Sequence, residues 1–159
     1  MFTTDIYLDQ IALNQQLATA FGSAFGTSRQ RVSVVQTDDI ESVSAVWNEP
    51  ENEVLLRTSL QEGEFPLIIE LSLRDSKPHD FVTRLESAAQ LLGLSILTDE
   101  QLANPLSDAE YLLVGADGHT ELVYVDTEDW DSETPTFGLV PDSRVIHKAH
   151  SANQLQRAD

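Results

Sequence analysis

The chain contains no cysteine, which excludes a disulfide scaffold, a thiolate metal site and a cysteine nucleophile. Only nine of its 159 residues are Lys or Arg, so a basic patch for direct nucleic-acid binding is not expected. The seven glycines form neither of the phosphate-binding patterns, Gly-x-Gly-x-x-Gly or Gly-x-x-x-x-Gly-Lys. These absences argue against nucleotide-binding, thiol-redox and nucleic-acid-binding functions.

The sequence also lacks a long apolar run and a basic N-terminal region. No stretch approaches the roughly 18 residues that a membrane-spanning helix needs, and the apolar segment 65–69 is bounded by acids. The first nine residues contain no Lys or Arg, unlike the start of a secretory signal peptide. We therefore expect a cytoplasmic protein that does not contact a membrane.

Catalytic patterns are missing as well. No Gly-x-Ser-x-Gly nucleophile elbow accompanies the histidines, and no motif places a hydroxyl beside a histidine and an acid. The histidines are His79, His119, His147 and His150. The sequence therefore predicts that the protein is not an enzyme and has no catalytic residue and no cofactor.

In one acidic segment, residues 126–133, carboxylates are spaced as they are in loops that bind a hard cation such as calcium. Asp129, Asp131 and Glu133 stand at alternating positions, as calcium ligands do in a loop. The central glycine and the closing bidentate glutamate of a calcium loop are missing. We therefore predict that no metal binds, and an enzyme using carboxylates and a divalent metal is the opposing class of function.

Negative charge is the most unusual property of the chain. It has 27 acids against nine basic residues, a formal net charge of −18. No Lys or Arg stands between Arg84 and Arg144, an interval that contains thirteen acids. These are Glu86, Asp99, Glu100, Asp108, Glu110, Asp117, Glu121, Asp126, Glu128, Asp129, Asp131, Glu133 and Asp142. Such asymmetry predicts a polarised acidic face that attracts basic proteins. The alternative is that the acidic residues only keep the protein soluble or adapt it to a high-salt environment.

Hydrophobic periodicity predicts the secondary structure. Phe81, Leu85, Ala88 and Leu92 recur at helical spacing, and Gly93 is placed to end that helix. The predicted elements are a helix from Thr4 or Asp9 to Phe21, strands over 31–37, 43–47, 53–60 and 66–73, a helix from Ser76 or Lys77 to Leu92, and strands over 110–114 and 120–125. A short strand over 144–147 is a further expectation.

The hairpin in the second half has the strongest turn signal. Asp117-Gly118 is a preferred two-residue turn, and that register places Tyr111 opposite Tyr124 and Leu113 opposite Leu122. The whole pattern predicts an α+β fold with an antiparallel sheet of about six strands and two helices on one face, in the order α-β-β-β-β-α-β-β. Residues 1–147 are expected to form one domain, and 148–159 a polar, flexible tail.

Four segments together resemble small acidic immunity proteins of bacterial polymorphic toxin systems. They are Leu91–Asp99, Asn104-Pro105, Tyr111–Gly118 and Val123–Asp126, about 40 residues that give a helix, a short strand, a hairpin and an acidic loop. The resemblance implies a stoichiometric inhibitor that covers the active site of a cognate basic toxin. It transfers no individual functional residue, since it rests on common residue types and not on a match to an invariant motif.

The first functional hypothesis is therefore an acidic inhibitor of the immunity or antitoxin type that binds a basic protein, possibly a toxin domain. Trp130 stands among acids in a loop, as aromatic interface anchors do, although it could equally pack on the core. The residues predicted to bind the partner are Asp117, Glu121, Asp126, Glu128, Asp129, Trp130, Asp131 and Glu133. The chain is expected to be a monomer or a homodimer.

Two other binding functions stay open from the sequence. A secretion-type chaperone would be an acidic α+β dimer with exposed apolar grooves, which a mass measurement would separate from a monomeric inhibitor. A nucleic-acid mimic would use carboxylates in place of phosphates and would compete with DNA for a DNA-binding enzyme.

Overall fold

The computed structural model describes residues 1–36, 40–100, 109–126 and 138–140. The strands are β1 Phe2–Leu8, β2 Val32–Gln36, β3 Val54–Leu60, β4 Leu67–Leu73, β5 Ile96–Thr98, β6 Glu110–Val114 and β7 Thr120–Tyr124. The helices are α1 Asn14–Ala24, α2 Ile40–Trp47 and α3 Phe81–Leu92, and a short 3-10 turn, Arg29–Arg31, precedes β2. The predicted strand over 144–147 and the tail 148–159 lie outside the described residues.

The strands form one sheet in the order β2-β3-β4-β1-β5-β6-β7. β2 and β3 run parallel, and every other neighbouring pair is antiparallel. The predicted α+β class is confirmed, because helices and a largely antiparallel sheet share one core. The predicted strand number and order were wrong, since the described part of the chain has seven strands and begins with a strand.

The largest error concerns the N-terminus, where a helix was predicted and β1 is found. Thr4, Ile6 and Leu8 are buried, and the residues between them point to the opposite face. This two-residue alternation is the pattern of a strand. β1 pairs with β4 on one side and β5 on the other, so the first strand of the sequence lies in the middle of the sheet.

Residues 43–47 were predicted as a strand but belong to α2. Ile40, Val43 and Trp47 stand three and four residues apart, a spacing that fits a helix as well as the short alternation fits a strand. Parallel pairing of β2 with β3 decides between the two, because parallel neighbours need a crossover connection rather than a tight turn. α2 supplies that crossover.

The main core lies between the sheet and the helices α1 and α3. Leu17 and Phe21 of α1, and Phe81 and Leu85 of α3, are fully buried with the inward side chains of β1, β3 and β4. Gly93 ends α3 in the left-handed conformation, with φ 68°, as predicted. The predicted start was wrong, because α3 begins at Phe81, after the N-cap Asp80, whose carboxylate accepts a hydrogen bond from Arg84 Nε at 2.8 Å.

The β6–β7 hairpin was predicted correctly, but its register was not. Tyr111 lies opposite Val123 and Leu113 opposite Glu121, one residue away from the predicted pairs with Tyr124 and Leu122. The connection is therefore a three-residue turn, 116–118, and not the two-residue turn that Asp-Gly favours.

Two backbone hydrogen bonds and a positive φ define this turn. Gly115 N donates to His119 O at 2.8 Å, and Gly118 N donates to Gly115 O at 3.0 Å. Gly118 has φ +85°, as in a turn that closes with a left-handed glycine. A one-residue change of register exchanges the faces of a strand, so Tyr124 lies on the same face as the helices instead of beside Tyr111.

Replacing Gly118 with alanine should lower the free energy of unfolding by about 1 kcal/mol, because a residue with a Cβ pays for the left-handed conformation. The added Cβ would also meet the flexible side-chain amide of Gln90. Urea denaturation measures the change. Gly93→Ala is the matched control, since Gly93 has a similar φ and open space around it, and it should cost about the same. A Gly118→Ala variant as stable as the parent would contradict the observed turn.

Candidate functional site

The sheet has a second face, away from α1 and α3, which we call the open face. It carries the alternate residues of each strand, including Asp5 and Tyr7 of β1 and Glu70 of β4. Leu55 of β3 also points to this face yet is buried, which we attribute to α2, since α2 contacts β2 and β3. The middle of the open face, over β4, β1 and β5, is where charged side chains come together.

Register places Glu70 and Asp5 opposite each other on neighbouring strands. Tyr7 pairs with Leu97, so Asp99, two residues beyond Leu97, continues the same line on the other side of Asp5. We call Glu70, Asp5 and Asp99 the carboxylate row. Neighbouring strands lie about 4.8 Å apart, so the row brings three acids into close proximity.

One arginine stands at the end of the row. Arg57 of β3 lies opposite Glu70, and its Nη1 is 2.9 Å from Glu70 Oε1. In the described part of the chain, the ion pairs of Lys and Arg side chains do not include Asp5 or Asp99. The row therefore sets three carboxylates against one guanidinium, and like charges facing across strands are destabilising.

The pKa directions agree with this geometry. Partial burial raises the pKa of Asp5, and the charges of Glu70 and Asp99 raise it further. Burial also raises the pKa of Asp99, with the neighbouring Glu100 as the second cause. In both groups the fold disfavours the ionised form, so each carboxylate would be stabilised by a cation that approached from outside.

Aromatic side chains border the row. The rings of Tyr7 and Tyr111 meet edge to face, with centroids 6.3 Å apart and an angle of 75° between their planes. Burial raises the pKa of Tyr7, and its neighbours Tyr111, Asp5 and Asp99 raise it further. The two rings belong to a second apolar cluster on the open face, whose other members are Phe65, Leu97, Leu113, Val123, Val125 and Leu139. The site thus combines three carboxylates with an adjacent apolar cluster that contains two tyrosine rings.

Because the pKa values of Asp5 and Asp99 are raised, the folded chain holds their protons more readily than the unfolded chain. Their contribution to stability is therefore greatest below the ordinary aspartate pKa of about 4 and is lost as the pH rises from there through the raised folded values. We predict that Asp5→Asn/Asp99→Asn is more stable than the parent at pH 7 and that its advantage shrinks towards pH 4. Urea denaturation of both proteins at several pH values measures this difference. An advantage that does not change with pH would contradict the assignment.

Basic residues are as unevenly placed in space as in the sequence. All six described Lys and Arg residues precede residue 85, and β5, β6 and β7 contain none. Three of the six form ion pairs away from the row: Arg31 with Glu53, Lys77 with Glu100 and Arg84 with Asp80. Among the described residues, no basic side chain on β5, β6 or β7 neutralises the acids on that side of the sheet.

Three of the predicted partner-binding residues can be placed, and they lie along the hairpin rather than at one point. Asp117 is exposed in the turn, where a hydrogen bond from His119 N at 3.0 Å lowers its pKa. Glu121 is half-buried and lies on the open face, opposite Leu113. Asp126 lies beyond the other end of β7, about 26 Å from the turn at 3.3 Å per residue, and its backbone N donates to Gly138 O at 2.7 Å.

The other predicted contacts, Glu128, Asp129, Trp130, Asp131 and Glu133, lie outside the described residues. The metal-ligand spacing in 129–133 lies outside them too. Within the described ranges no cluster of three or more His, Asp or Glu side chains is arranged to hold a metal ion. Among those same residues, no helix is both long and apolar enough to cross a membrane.

The sequence reading missed the carboxylate row. For Glu70 the alternation of its strand was a usable signal, since Leu67, Ile69 and Leu71 are buried and Glu70 lies between them on the other face. Asp5 was assigned near the start of a helix, and Asp99 was counted only as one of many acids. A two-residue alternation around Asp5 was the signal available, but the alignment of the three residues depends on the registers of three strands.

Comparison with protein-family models, with curated proteins and with solved structures found no match for this chain.

Proposed function

We propose that this chain is an acidic binding protein of the immunity type, which inhibits a basic partner protein by covering its functional surface. The observation that carries the proposal is the carboxylate row. Its two aspartates, Asp5 in the middle and Asp99 at one end, lie beside other carboxylates in the free protein and stay exposed to solvent. Rows of like charge lower stability, and sequences violate such local rules mostly at functional sites.

An arginine or lysine of the partner would relieve this repulsion by entering between the carboxylates. Pairing across the interface then gains more than an ordinary surface ion pair, because Asp5 and Asp99 are partly buried and take part in none of the Lys or Arg ion pairs of the described residues. Tyr7, which is half-buried and close enough to Asp5 and Asp99 to feel their charge, can supply apolar contact area, as aromatic residues do in interface hot spots.

The negative β5–β7 side of the sheet would serve a second purpose. A field of one sign steers a partner of opposite sign and raises the association rate. The acidic loop 126–133, with Trp130 as an anchor, remains the predicted second contact, since Asp126 begins it at the end of the hairpin. The family resemblance in residues 91–126 favours the same function.

The test begins with affinity capture. The immobilised chain and its Asp5→Asn/Asp99→Asn variant are exposed to a lysate of the source cells, and captured proteins are identified by mass spectrometry. Glu51→Gln/Asp75→Asn is the matched control, because it removes the same charge from two exposed positions away from the row. We expect a basic protein that the parent and the control retain and that the row variant loses.

The captured protein is then purified and assayed with the chain. Saturating inhibition at one chain per partner molecule, with an association rate that falls steeply between low and high salt, is the expected result. A captured protein whose activity is unchanged, or whose capture does not depend on the row, would refute the proposal.

One observation favours the chaperone as a second candidate. Ile11, Leu13 and Leu60 are 63%, 70% and 67% exposed. Ile11 and Leu60 line a cavity of about 540 Å³, together with Ala12 and Leu67. Exposed apolar grooves of this kind bind extended apolar segments. In the capture experiment, loss of the partner from Leu60→Ser but not from the row variant would select this function instead.

A further inference from the structure

A groove lies between α1 and α3, on the helix side of the sheet and away from the carboxylate row. We call it the helix groove. Its volume is about 460 Å³, within the range of small-molecule binding sites. Its apolar lining consists of Ala20 of α1 and of Leu91 and Leu92 of α3. Leu91 is 60% exposed, so the groove offers apolar surface that a ligand can cover.

The rest of the described lining is polar, and its single charge is positive. It consists of Gln15, Gln16, Thr19 and Ser23 of α1 and of Arg29 in the 3-10 turn that follows that helix. The chain has 27 acids against nine basic residues, yet none of the described residues that line this groove is acidic. The local charge of the helix groove is therefore opposite in sign to that of the whole protein.

Arg29 differs from the other basic residues in having no partner. Of the six described Lys and Arg side chains, four form ion pairs with carboxylates, and Arg74 donates to the backbone oxygens of Trp47, Glu49 and Asn52. Arg29 is exposed and forms neither an ion pair nor a side-chain hydrogen bond in the described structure. Its guanidinium is thus available to an anion from outside.

The two helices separate the apolar part of the groove from its cation. Phe25, directly after α1, contacts Phe81 at the start of α3, with ring centroids 6.1 Å apart, so the helices run in opposite directions. Leu91 and Leu92, at the end of α3, therefore lie towards the start of α1, whereas Arg29 lies beyond its end. From Gln15 to Ser23 the lining extends about 12 Å along α1, at 1.5 Å per residue.

We propose that the helix groove binds a small amphipathic anion, a monocarboxylate with an apolar chain. The carboxylate pairs with the guanidinium of Arg29, which matches its geometry and can bind it through two hydrogen bonds. The apolar chain follows α1 towards Leu91 and Leu92 and covers them. A cation would be repelled by Arg29, and a neutral molecule would leave that charge unpaired.

A second cavity of similar size shows that the cation is the selective feature. The cavity lined by Ile11 and Leu60 has a volume of about 540 Å³ and also has apolar walls, but none of its described lining residues is charged. An apolar chain alone could enter either cavity, whereas a carboxylate finds a cation only in the helix groove. This inference does not rest on the proposed function, because the row lies on the opposite face of the sheet.

Titration of the ¹⁵N-labelled chain with sodium octanoate, followed by NMR, tests the proposal. We expect the largest shift changes at the amides of Thr19, Ser23, Arg29 and Leu91. The dissociation constant should be on the order of 1 mM, as the few atoms of this ligand allow. 1-Octanol has the same apolar chain without the charge and should bind there at least threefold more weakly.

Two neighbouring arginines supply matched variants. Arg29→Gln should weaken octanoate binding at least threefold. Arg31→Gln should leave it unchanged, because Arg31 belongs to the same 3-10 turn but pairs with Glu53 and does not line the groove.

Three results would overturn the proposal. They are an absence of shift changes at these amides up to about 20 mM octanoate, larger changes around Leu60 than around Arg29, and an Arg29→Gln variant that binds as tightly as the parent. Should a variant fail to fold, the comparison of octanoate with 1-octanol on the parent chain decides the question, since equal binding of the two would exclude a role for the carboxylate.

Discussion

Replacing Ile6 with alanine should lower the free energy of unfolding by about 2 to 5 kcal/mol, whereas the same replacement at Ile11 should change it by less than about 0.5 kcal/mol. The two isoleucines lie five positions apart in the sequence. Ile6 is fully buried in the central strand β1 and packs in the main core, while Ile11 is 63% exposed in the segment before α1.

The cost at Ile6 arises from lost apolar contacts and from the cavity that the smaller side chain leaves. It should be large because β1 has strands on both sides and helices above it, so the surroundings cannot easily collapse. Urea denaturation followed by circular dichroism measures both variants. Similar small effects at the two positions would mean that the N-terminal segment is not an internal strand, and the carboxylate row would then lose its middle member.

Neutralising the row with Asp5→Asn/Asp99→Asn should change stability and binding in opposite directions. At pH 7 the variant should be more stable by about 0.5 to 1 kcal/mol, since each pair of like charges facing across strands costs a few tenths to 1 kcal/mol. Its affinity for the basic partner should fall at least tenfold, which corresponds to about 1.4 kcal/mol.

A gain in stability together with a loss of affinity distinguishes residues that bind a partner from residues that support the fold. If the aspartates supported the fold, the variant would lose stability, and any loss of affinity would follow from damage to the structure. The control Glu51→Gln/Asp75→Asn removes the same charge elsewhere and should leave both quantities nearly unchanged. A row variant that is destabilised, or that binds as tightly as the parent, would contradict the proposed role.

The parts of the fold that the sequence predicts well are those with local signals. α3 has a long apolar stripe and a glycine at its end, and its body and C-terminus were predicted correctly. The strands β3 and β4 have clear runs and a short connection. In these elements the pattern and the tertiary structure require the same conformation, which makes the prediction safe.

The failures occur where long-range pairing decides the outcome. The alternation in residues 2–8 is short, and nothing local shows that the segment inserts between β4 and β5. The sequence of residues 43–47 fits both the spacing of a helix and the alternation of a strand. Only the parallel pairing of β2 with β3 requires a helix there. At the hairpin, Asp117-Gly118 favours a two-residue turn, whereas the three-residue turn places Val123 opposite Tyr111, in the second apolar cluster on the open face.

The same reasoning explains why the acidic face was predicted only in outline. Composition and the absence of Lys and Arg between 84 and 144 indicated a polarised protein, and the described strands β5–β7 carry no basic residue. The position of the carboxylate row could not be read from spacing, because Asp5, Glu70 and Asp99 are far apart in the sequence. Strand register alone brings them together.

Titration of the ¹⁵N-labelled chain with an eight-arginine peptide, followed by NMR, tests most directly whether the row is where a basic partner binds. We predict that the largest shift changes occur at the amides around Asp5, Tyr7, Glu70 and Asp99, and that they diminish in the Asp5→Asn/Asp99→Asn variant. Shift changes of equal size at every acidic segment, or largest around Glu51 and Asp75, would show that charge alone attracts the peptide and would contradict the proposed site.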